Sequence, residues 1–335
     1  MIIVITYDGP DANPRNASST IIHQHRLKVL LSVQEALESM GHNAVPLPAD
    51  ASLQVHLNKV SPQLVFNLAA CPMSAKDRAN APLLLEEMGI PFTGSPVGVC
   101  AIAMDKARAK ARFLECGIPT PIGILVRNAD EIHIPENLAF PLFAKPSRGG
   151  CSRGIGLENL IQEPSGYASA LQRIIRQCGG PVLVEEFLPG REFSAGILGN
   201  EAPQVLPIKE FLFEEGGGEV PFRSFRRKMV CPETEPYQCP ANVAPHEEQA
   251  ISELALAAYC CLGCRDYARV DIRMGQDSRP CVLEVNALPS LVRGTSSFSL
   301  MAEKARISYE KMIGKILSLA CRRYHISCDA VANIT

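Results

Sequence analysis

The chain has 335 residues, 47% apolar and 20% charged, with 33 Lys and Arg against 35 Asp and Glu. That composition excludes a disordered chain, and the absence of a basic excess argues against a dedicated nucleic-acid binder. No apolar run approaches the ~20 residues a membrane helix needs, so neither nucleic acid nor membrane is an expected partner.

The opening MIIVITYDGP has no basic leader, and residues 2–6 read as a buried first strand, not a signal peptide. Ser18, Ser19 and Thr20 offer an N-cap to a helix reaching about Met40, with Leu27, Leu30, Leu31 and Leu37 at helical spacing and Gly41 as its stop. A strand at 43–47, a helix at 53–59 and a strand at 64–68 follow. This β-α-β-α-β order predicts an α/β fold that opens with a doubly wound parallel lobe, its active edge at the strand C-termini.

A helix over 104–116 ends at Gly117, and a strand over 140–145 runs straight into the glycine-rich segment 147–156. A helix at 167–177 precedes a strand at 182–184. Residues 192–198 form a strand, and a basic stretch covers 223–228. A helix over 247–262 leads to paired strands at 268–274 and 281–285, and residues 300–323 read as one closing helix. The thirteen cysteines lie scattered, many beside apolar neighbours, so they predict buried thiols in a reducing cytoplasm. Cys261 and Cys264 form a lone CxxC, which reads as small hydrophobes at a helix end because no second ligand pair stands at finger spacing.

The paired strands are the most legible feature. Alternation puts Arg269, Asp271 and Arg273 on one face, and Val282, Glu284 and Asn286 on one face of the next strand. A hairpin about the short loop sets Asp271 opposite Glu284 and Arg269 opposite Asn286. Two carboxylates facing across a ladder repel, so a cation belongs between them. A hard divalent ion held by Asp271, Glu284 and Asn286 satisfies that need, and so does neutralisation by Arg269 or Arg273 without a metal. Upstream, Lys145 ends a buried strand, where an ammonium is costly unless an anion pairs with it. Lys106, Lys228 and the glycine-rich loop complete a set suited to a triphosphate. Each lysine taken alone is equally a solvent-facing side chain.

The order of these motifs resembles the ATP-grasp superfamily, and within it the D-alanine–D-alanine ligase group. The resemblance is carried by Thr93-Gly94-Ser95, Met104-Asp105-Lys106, GIPTP at 117–121, FAKPSRGGCSRGIG at 143–156, VEEFLPGREFSAGILG at 184–199, RVD at 269–271 and LEVNALPS at 283–290. It implies an α+β, two-subdomain ATP-grasp fold behind the first lobe. The implied domains are an N-terminal lobe at 1–95, a central subdomain with a flap at 96–184, a C-terminal subdomain with the metal site at 185–325, and a tail at 326–335.

The same resemblance implies ATP as cosubstrate. Lys106 and Lys145 would bind its phosphates and Lys228 the γ-phosphate. Glu185, Glu186, Phe187 and Leu188 would form the adenine hinge, and Glu192 would hold the ribose. Asp271, Glu284 and Asn286 would carry two Mg2+ ions, with Mn2+ as a substitute. Arg269 and Ser152 would act catalytically, Arg269 on the acyl-phosphate and tetrahedral states. The implied reaction joins the carboxylate of an amino acid or small peptide to an amine through an acyl phosphate, releasing ADP, and the implied assembly is a homodimer through the N-terminal lobe.

Departures cluster on the substrate side. No glutamate occurs in DGPDANPRNASST after the first strand, residues 69–77 replace the HG…GEDG loop, and Cys151 replaces the first flap serine, leaving Ser152. Met229 stands where a tyrosine follows the phosphate lysine, and Pro289-Ser290 replaces Pro-Gly. A ligase with a different substrate pair is expected, with a nucleotide-binding protein lacking ligase chemistry as the alternative. His23 and His25, near the first helix start, are further candidates to meet a substrate.

Overall fold

The computed structural model describes residues 1–9, 17–70, 80–150, 152–213, 222–230 and 235–327. The loop at 10–16, most of the replaced segment at 69–77, Cys151 and all but the start of the 326–335 tail lie outside the described residues.

The first lobe contains β1 (Ile2–Tyr7), α1 (Ala17–Ser39), β2 (Asn43–Pro48), α2 (Leu53–Val60), β3 (Leu64–Asn67) and α3 (Ala81–Glu87). Its sheet is parallel in the order β2-β1-β3, as the β-α-β-α-β reading requires. Ser18, Ser19 and Thr20 are not the cap: the helix already includes Ala17, so they lie inside its first turn.

Next come α4 (Val97–Ala103) and α5 (Lys106–Glu115), then the central sheet. That sheet is built from β4 (Gly123–Val126), β5 (Leu142–Pro146), β6 (Leu160–Ile161) and, after α6 (Tyr167–Cys178), β7 (Val182–Glu186). Its strands run in the order β4-β7-β5-β6, every pairing antiparallel. Leu171 and Ile174 of α6 cover it against Leu142, Ala144 and Val184.

The last sheet uses β8 (Glu192–Leu198), β9 (Gln204–Val205), β10 (Lys209–Phe211) and β11 (Tyr237–Gln238). After α7 (Pro245–Leu262) come β12 (Tyr267–Met274) and β13 (Pro280–Asn286). The order is β11-β10-β8-β12-β13, with β9 on β8. Val270 and Ile272 of β12 point into a core with Phe113 of α5 and Ile251 and Ala258 of α7. The alternating charged residues therefore face the other way.

The closing helix is two helices, α8 (Ser297–Lys304) and α9 (Tyr309–Arg323). Arg306 takes φ 60°, and Ser308 restarts the chain by accepting a hydrogen bond from Lys311 N–H at 3.2 Å. The apolar spacing continues across the break, which is why it reads as one helix. Phe298 and Met301 of α8 and Met312 and Ile316 of α9 share a core with Ile3 and Ile5 of β1 and Val33 and Leu37 of α1. No helix among the described residues is long and apolar enough to cross a membrane.

Asp266 fastens these parts together. Its fully buried carboxylate accepts hydrogen bonds from Gly94 N–H at 2.7 Å, Asn200 Nδ2 at 2.9 Å and Arg323 Nη2 at 2.7 Å. Removing one partner of a buried pair leaves the other uncompensated. Asp266 also holds φ 63°, a conformation that Asp and Asn tolerate better than Ala. Asp266→Ala is expected to cost about 3–5 kcal/mol in guanidinium unfolding, and Asp266→Asn clearly less.

Candidate active site

The central and last sheets face each other across a cleft of about 900 Å3, counted to its open mouth. That is within the size range of small-molecule sites. One end is apolar: Phe143 of β5 meets Phe222 edge-on with ring centroids 4.9 Å apart, and Phe187 lies 6.2 Å from Phe143. Lys106, Lys145 and Lys228 line the cleft together with Asp271 and Glu284.

Asp105 explains the geometry at the first lysine. It caps α5 by accepting from Arg108 N–H at 3.2 Å, and it also accepts from Ser147 Oγ at 3.2 Å and Arg148 Nε at 3.0 Å. The helix that carries Lys106 and the root of the glycine-rich segment are thus tied to one carboxylate. Lys106 N–H donates to the Ser147 carbonyl at 2.8 Å, and Lys106 Nζ to the Gly149 carbonyl at 2.9 Å. Gly149 has φ 107°, which a side chain would make costly. Burial pushes the Lys106 ammonium below its ordinary pKa, opposed by Glu284. Ser152 lines the cleft from the same segment, at φ 53°.

Lys145 has a partner that sequence reasoning assigned elsewhere. Glu185 was expected in the adenine hinge, but β7 continues through Glu186, and the Glu185 carboxylate is buried between two ammonium groups. Lys145 Nζ lies 2.5 Å from one of its oxygens and Lys110 Nζ 2.6 Å from the other. Lys110 also donates to Thr120 Oγ1 at 2.9 Å and to the Pro121 carbonyl. Burial pushes the Glu185 carboxyl up, but the two lysines outweigh it and hold the group below the ordinary carboxylate range. Lys110 was missed, although its place one helical turn after Lys106 was a readable signal.

Glu186 ends β7. Its carboxylate accepts from Ala139 N–H at 2.9 Å, while its own N–H and that of Phe187 donate to the Ile122 and Pro141 carbonyls. Arg273 Nε donates to the Leu188 carbonyl at 2.6 Å and Nη1 to Glu192 at 2.8 Å, with the guanidinium 4.7 Å from the Phe187 ring centre. Arg273 therefore ties the Leu188 backbone to Glu192. Burial raises the Glu192 carboxyl above its ordinary value despite Arg273. Gly190 fits where a Cβ would come within 2.7 Å of Met274, so the hinge loop can lie against the end of β12.

The β12–β13 register is the expected one: Asp271 faces Glu284 and Arg269 faces Asn286. The expected face of Val282 is wrong. A bulge just past the Asp271–Glu284 pair sets Ile272 opposite Val282, so Val282 turns into the core and Leu283 lines the cleft instead. Simple alternation cannot foresee that extra residue.

Arg269 forms a two-pronged pair with Asp271 at 2.7 Å on each oxygen, and Ser194 Oγ adds a bond at 2.6 Å. Burial raises the Asp271 carboxyl, but Arg269 holds it far below the usual range. Glu284 is less engaged. Asn286 Nδ2 lies 3.4 Å from its Oε1 and 3.1 Å from Asp271 Oδ2, and Lys106 Nζ is 4.0 Å from Oε2. Burial pushes Glu284 up, and Lys106, Lys228 and Lys145 together outweigh this and lower its pKa. Burial lowers the Lys228 ammonium, with Arg269 and Arg223 adding to the effect. Arg269 and Asn286 join the floor of the cleft through their bonds to Asp271.

These donors fit a hard cation. Oxygen ligands from two carboxylates and one amide converge, and a half-turn of the Asn286 amide exchanges its nitrogen for its oxygen. Pairing with Arg269 and metal binding are therefore compatible. Among the described residues, no group of three or more His, Cys, Asp or Glu side chains is placed to hold a metal. Cys264 is buried, which pushes its thiol up to about 12, and Cys261 Sγ donates to the Arg112 carbonyl at 3.4 Å.

A model of the D-ala D-ala ligase C-terminus family matches residues 122–318. A D-alanine–D-alanine ligase of Desulforudis audaxviator is 30% identical over 295 residues, spanning 87% of this chain and 92% of that protein. The chain belongs to the D-alanine–D-alanine ligase family. It is an ATP-dependent ligase of the peptide-bond-forming type, with the ATP-grasp fold. A Sinorhizobium fredii protein described only as uncharacterized is 33% identical over 302 residues, covering 88% of this chain and 87% of its own. Among solved structures, the D-alanine–D-alanine ligase of Bacillus anthracis complexed with ATP superposes with a TM-score of 0.74 at 21% identity, covering 97% of this chain and 99% of that one. The VanG D-Ala:D-Ser ligase of Enterococcus faecalis gives 0.72 at 20% identity, covering 95% and 98%.

Two predictions follow from the buried lysine pair. Lys110→Met frees one side of Glu185 and lets Lys145 shift, so the KM for ATP should rise about tenfold or more while folding is retained. A carboxyl with a lowered folded-state pKa stabilises above its unfolded value, and that stability is lost as pH falls through the folded value. For Glu185 the loss starts near the ordinary 4.5 and continues below it. Glu185→Gln should lower stability at neutral pH and flatten the acid limb of a denaturant titration.

Proposed function

We propose that the protein is an ADP-forming carboxylate–amine ligase whose donor is an amino acid or small peptide, with a substrate pair different from two D-alanines. The observation that carries the reading is one cleft with an aromatic end, three lysines and a facing carboxylate pair. ATP fits that polarity, its base among Phe143, Phe187 and Phe222 and its phosphates toward Lys106, Lys145 and Lys228. Glu192 would hold the ribose, and Glu186, Phe187 and Leu188 would form the hinge. Glu185 serves as the anchor of Lys145.

Asp271, Glu284 and Asn286 would hold Mg2+, or Mn2+ in its place, which screens the crowded phosphate charge when bound. The donor carboxylate oxygen attacks the γ-phosphorus, forming an acyl phosphate as ADP leaves. An amine then attacks the acyl carbon, loses a proton, and inorganic phosphate departs. Phosphorylation replaces a poor oxide leaving group with a good one. Lys228 and Arg269 oppose the negative charge that develops in both steps. The glycine-rich segment with Ser152 excludes water from the acyl phosphate. The substrate-side departures, Met229 and Ser290 among them, support a changed substrate pair. A homodimer through the N-terminal lobe in the cytoplasm completes the reading.

ADP release across a panel of acids and amines tests it. At least one pair should raise turnover above the ATP-only rate. Tight ATP binding with no ADP release for any pair would instead identify a nucleotide-binding protein without ligase chemistry. Glu284→Gln should lower kcat at least about 100-fold at saturating Mg2+, and a normal rate would overturn the metal assignment.

A further inference from the structure

His25 of α1 and Ser290 of the β13–α8 loop meet with Nε2 2.8 Å from Oγ. These are a histidine set aside from the sequence and a serine replacing the family's glycine. Their meeting is not a surface accident. The loop is laid along α1, with Arg293 N–H donating to Ser32 Oγ at 3.4 Å and Tyr309 Oη donating to the Leu291 carbonyl at 2.6 Å. Leu291 and Val292 sit in the core that α1 shares with α8 and α9. The N-terminal part of the molecule and the chain just past Asn286 thus present one rigid polar pair.

Its position relative to the chemistry is set by two neighbours. Ser290 follows Asn286 by four residues, and α1 packs against the wide helical turn Arg226–Val230 that carries Lys228. The pair therefore stands on the γ-phosphate side of the cleft, at the opposite end from the aromatic rings. An acid that attacks the γ-phosphorus must bring its carboxylate to Lys228. Its α-substituent, two bonds from the carboxyl carbon, would then extend toward the helix and loop that hold His25 and Ser290.

The charge there is one-sided. Lys228 reaches His25 from the helical turn, and Lys28 and Arg26 from its own helix. Burial first and these cations second push the imidazole below its ordinary pKa. Asp8, at the end of β1, is already occupied by Arg26 at 3.5 Å and by Ala70 N–H at 3.2 Å. Among the described residues, none of the charges acting on His25 is an acid. Among the described residues, an α-ammonium there would meet Lys228 and Lys28 with no acid acting on His25 to offset them. An amide or hydroxyl finds an imidazole and a serine hydroxyl with which to hydrogen-bond.

We propose that His25 and Ser290 form the specificity wall of the donor pocket and select an acid whose α-substituent is a neutral hydrogen-bonding group over a free amino acid. The chemical class is an N-acyl amino acid or the C-terminal residue of a peptide, whose α-nitrogen is an amide. The inference rests on the ligase reading above and narrows it.

The test is ADP release with saturating ATP and Mg2+, comparing free amino acids of both hands with their N-acetyl derivatives and with dipeptides. The expected result is a kcat/KM at least about tenfold higher for the acylated or peptidic donors than for the matching free acids. His25→Glu supplies the missing counter-ion and should shift that ratio toward free amino acids by at least about tenfold. Ser290→Gly should narrow the ratio without inverting it. A ratio between two donors on one preparation is unaffected by the fraction folded, so a merely structural role for the pair would not move it. Preference of the wild type for free amino acids, or an unmoved ratio in His25→Glu, overturns the inference and leaves the ligase reading intact. No release with any donor overturns both.

Discussion

The register of two strands governs everything this molecule can do. With Asp271 set against Glu284, like charges are forced together at the floor of a cleft, and the surroundings are arranged to tolerate them. Arg269 and Ser194 satisfy Asp271, Asn286 bridges both carboxylates, and Lys106 approaches the far side of Glu284. The bulge beside this pair lets one strand send Val282 into the core and still turn Leu283 and Glu284 toward the cleft.

Around that floor, positive charge is held in place by negative charge of two kinds. Asp105 and Glu185 are structural acids: the first roots the glycine-rich segment on the start of α5, and the second holds Lys145 and Lys110. Glu284, with Asp271 behind it, faces the open volume. A cleft with fixed lysines and incompletely engaged acids suits a polyanion that arrives with its own cations.

Much of this was legible in the sequence. Period-two alternation gave the faces of β12, because charged and apolar residues strictly alternate from Arg269 to Met274. Turn residues and apolar runs gave the parallel lobe. What failed did so for physical reasons. The bulge at Leu283 leaves no trace in alternation. The break before Ser308 interrupts the backbone but not the apolar spacing of α8 and α9. The pairing of Glu185 with Lys110 was not foreseen, because a different element, α5, brings the lysine to it. Phe143 and Phe222 lie far apart in the chain, and only the fold makes them neighbours.

The double duty of Asp105 has a mechanical outcome. One carboxylate both starts α5 and ties down the root of the glycine-rich segment, so neither can be displaced alone. Any displacement of that root would therefore be felt at the first turn of α5, and with it at the backbone that carries Lys106.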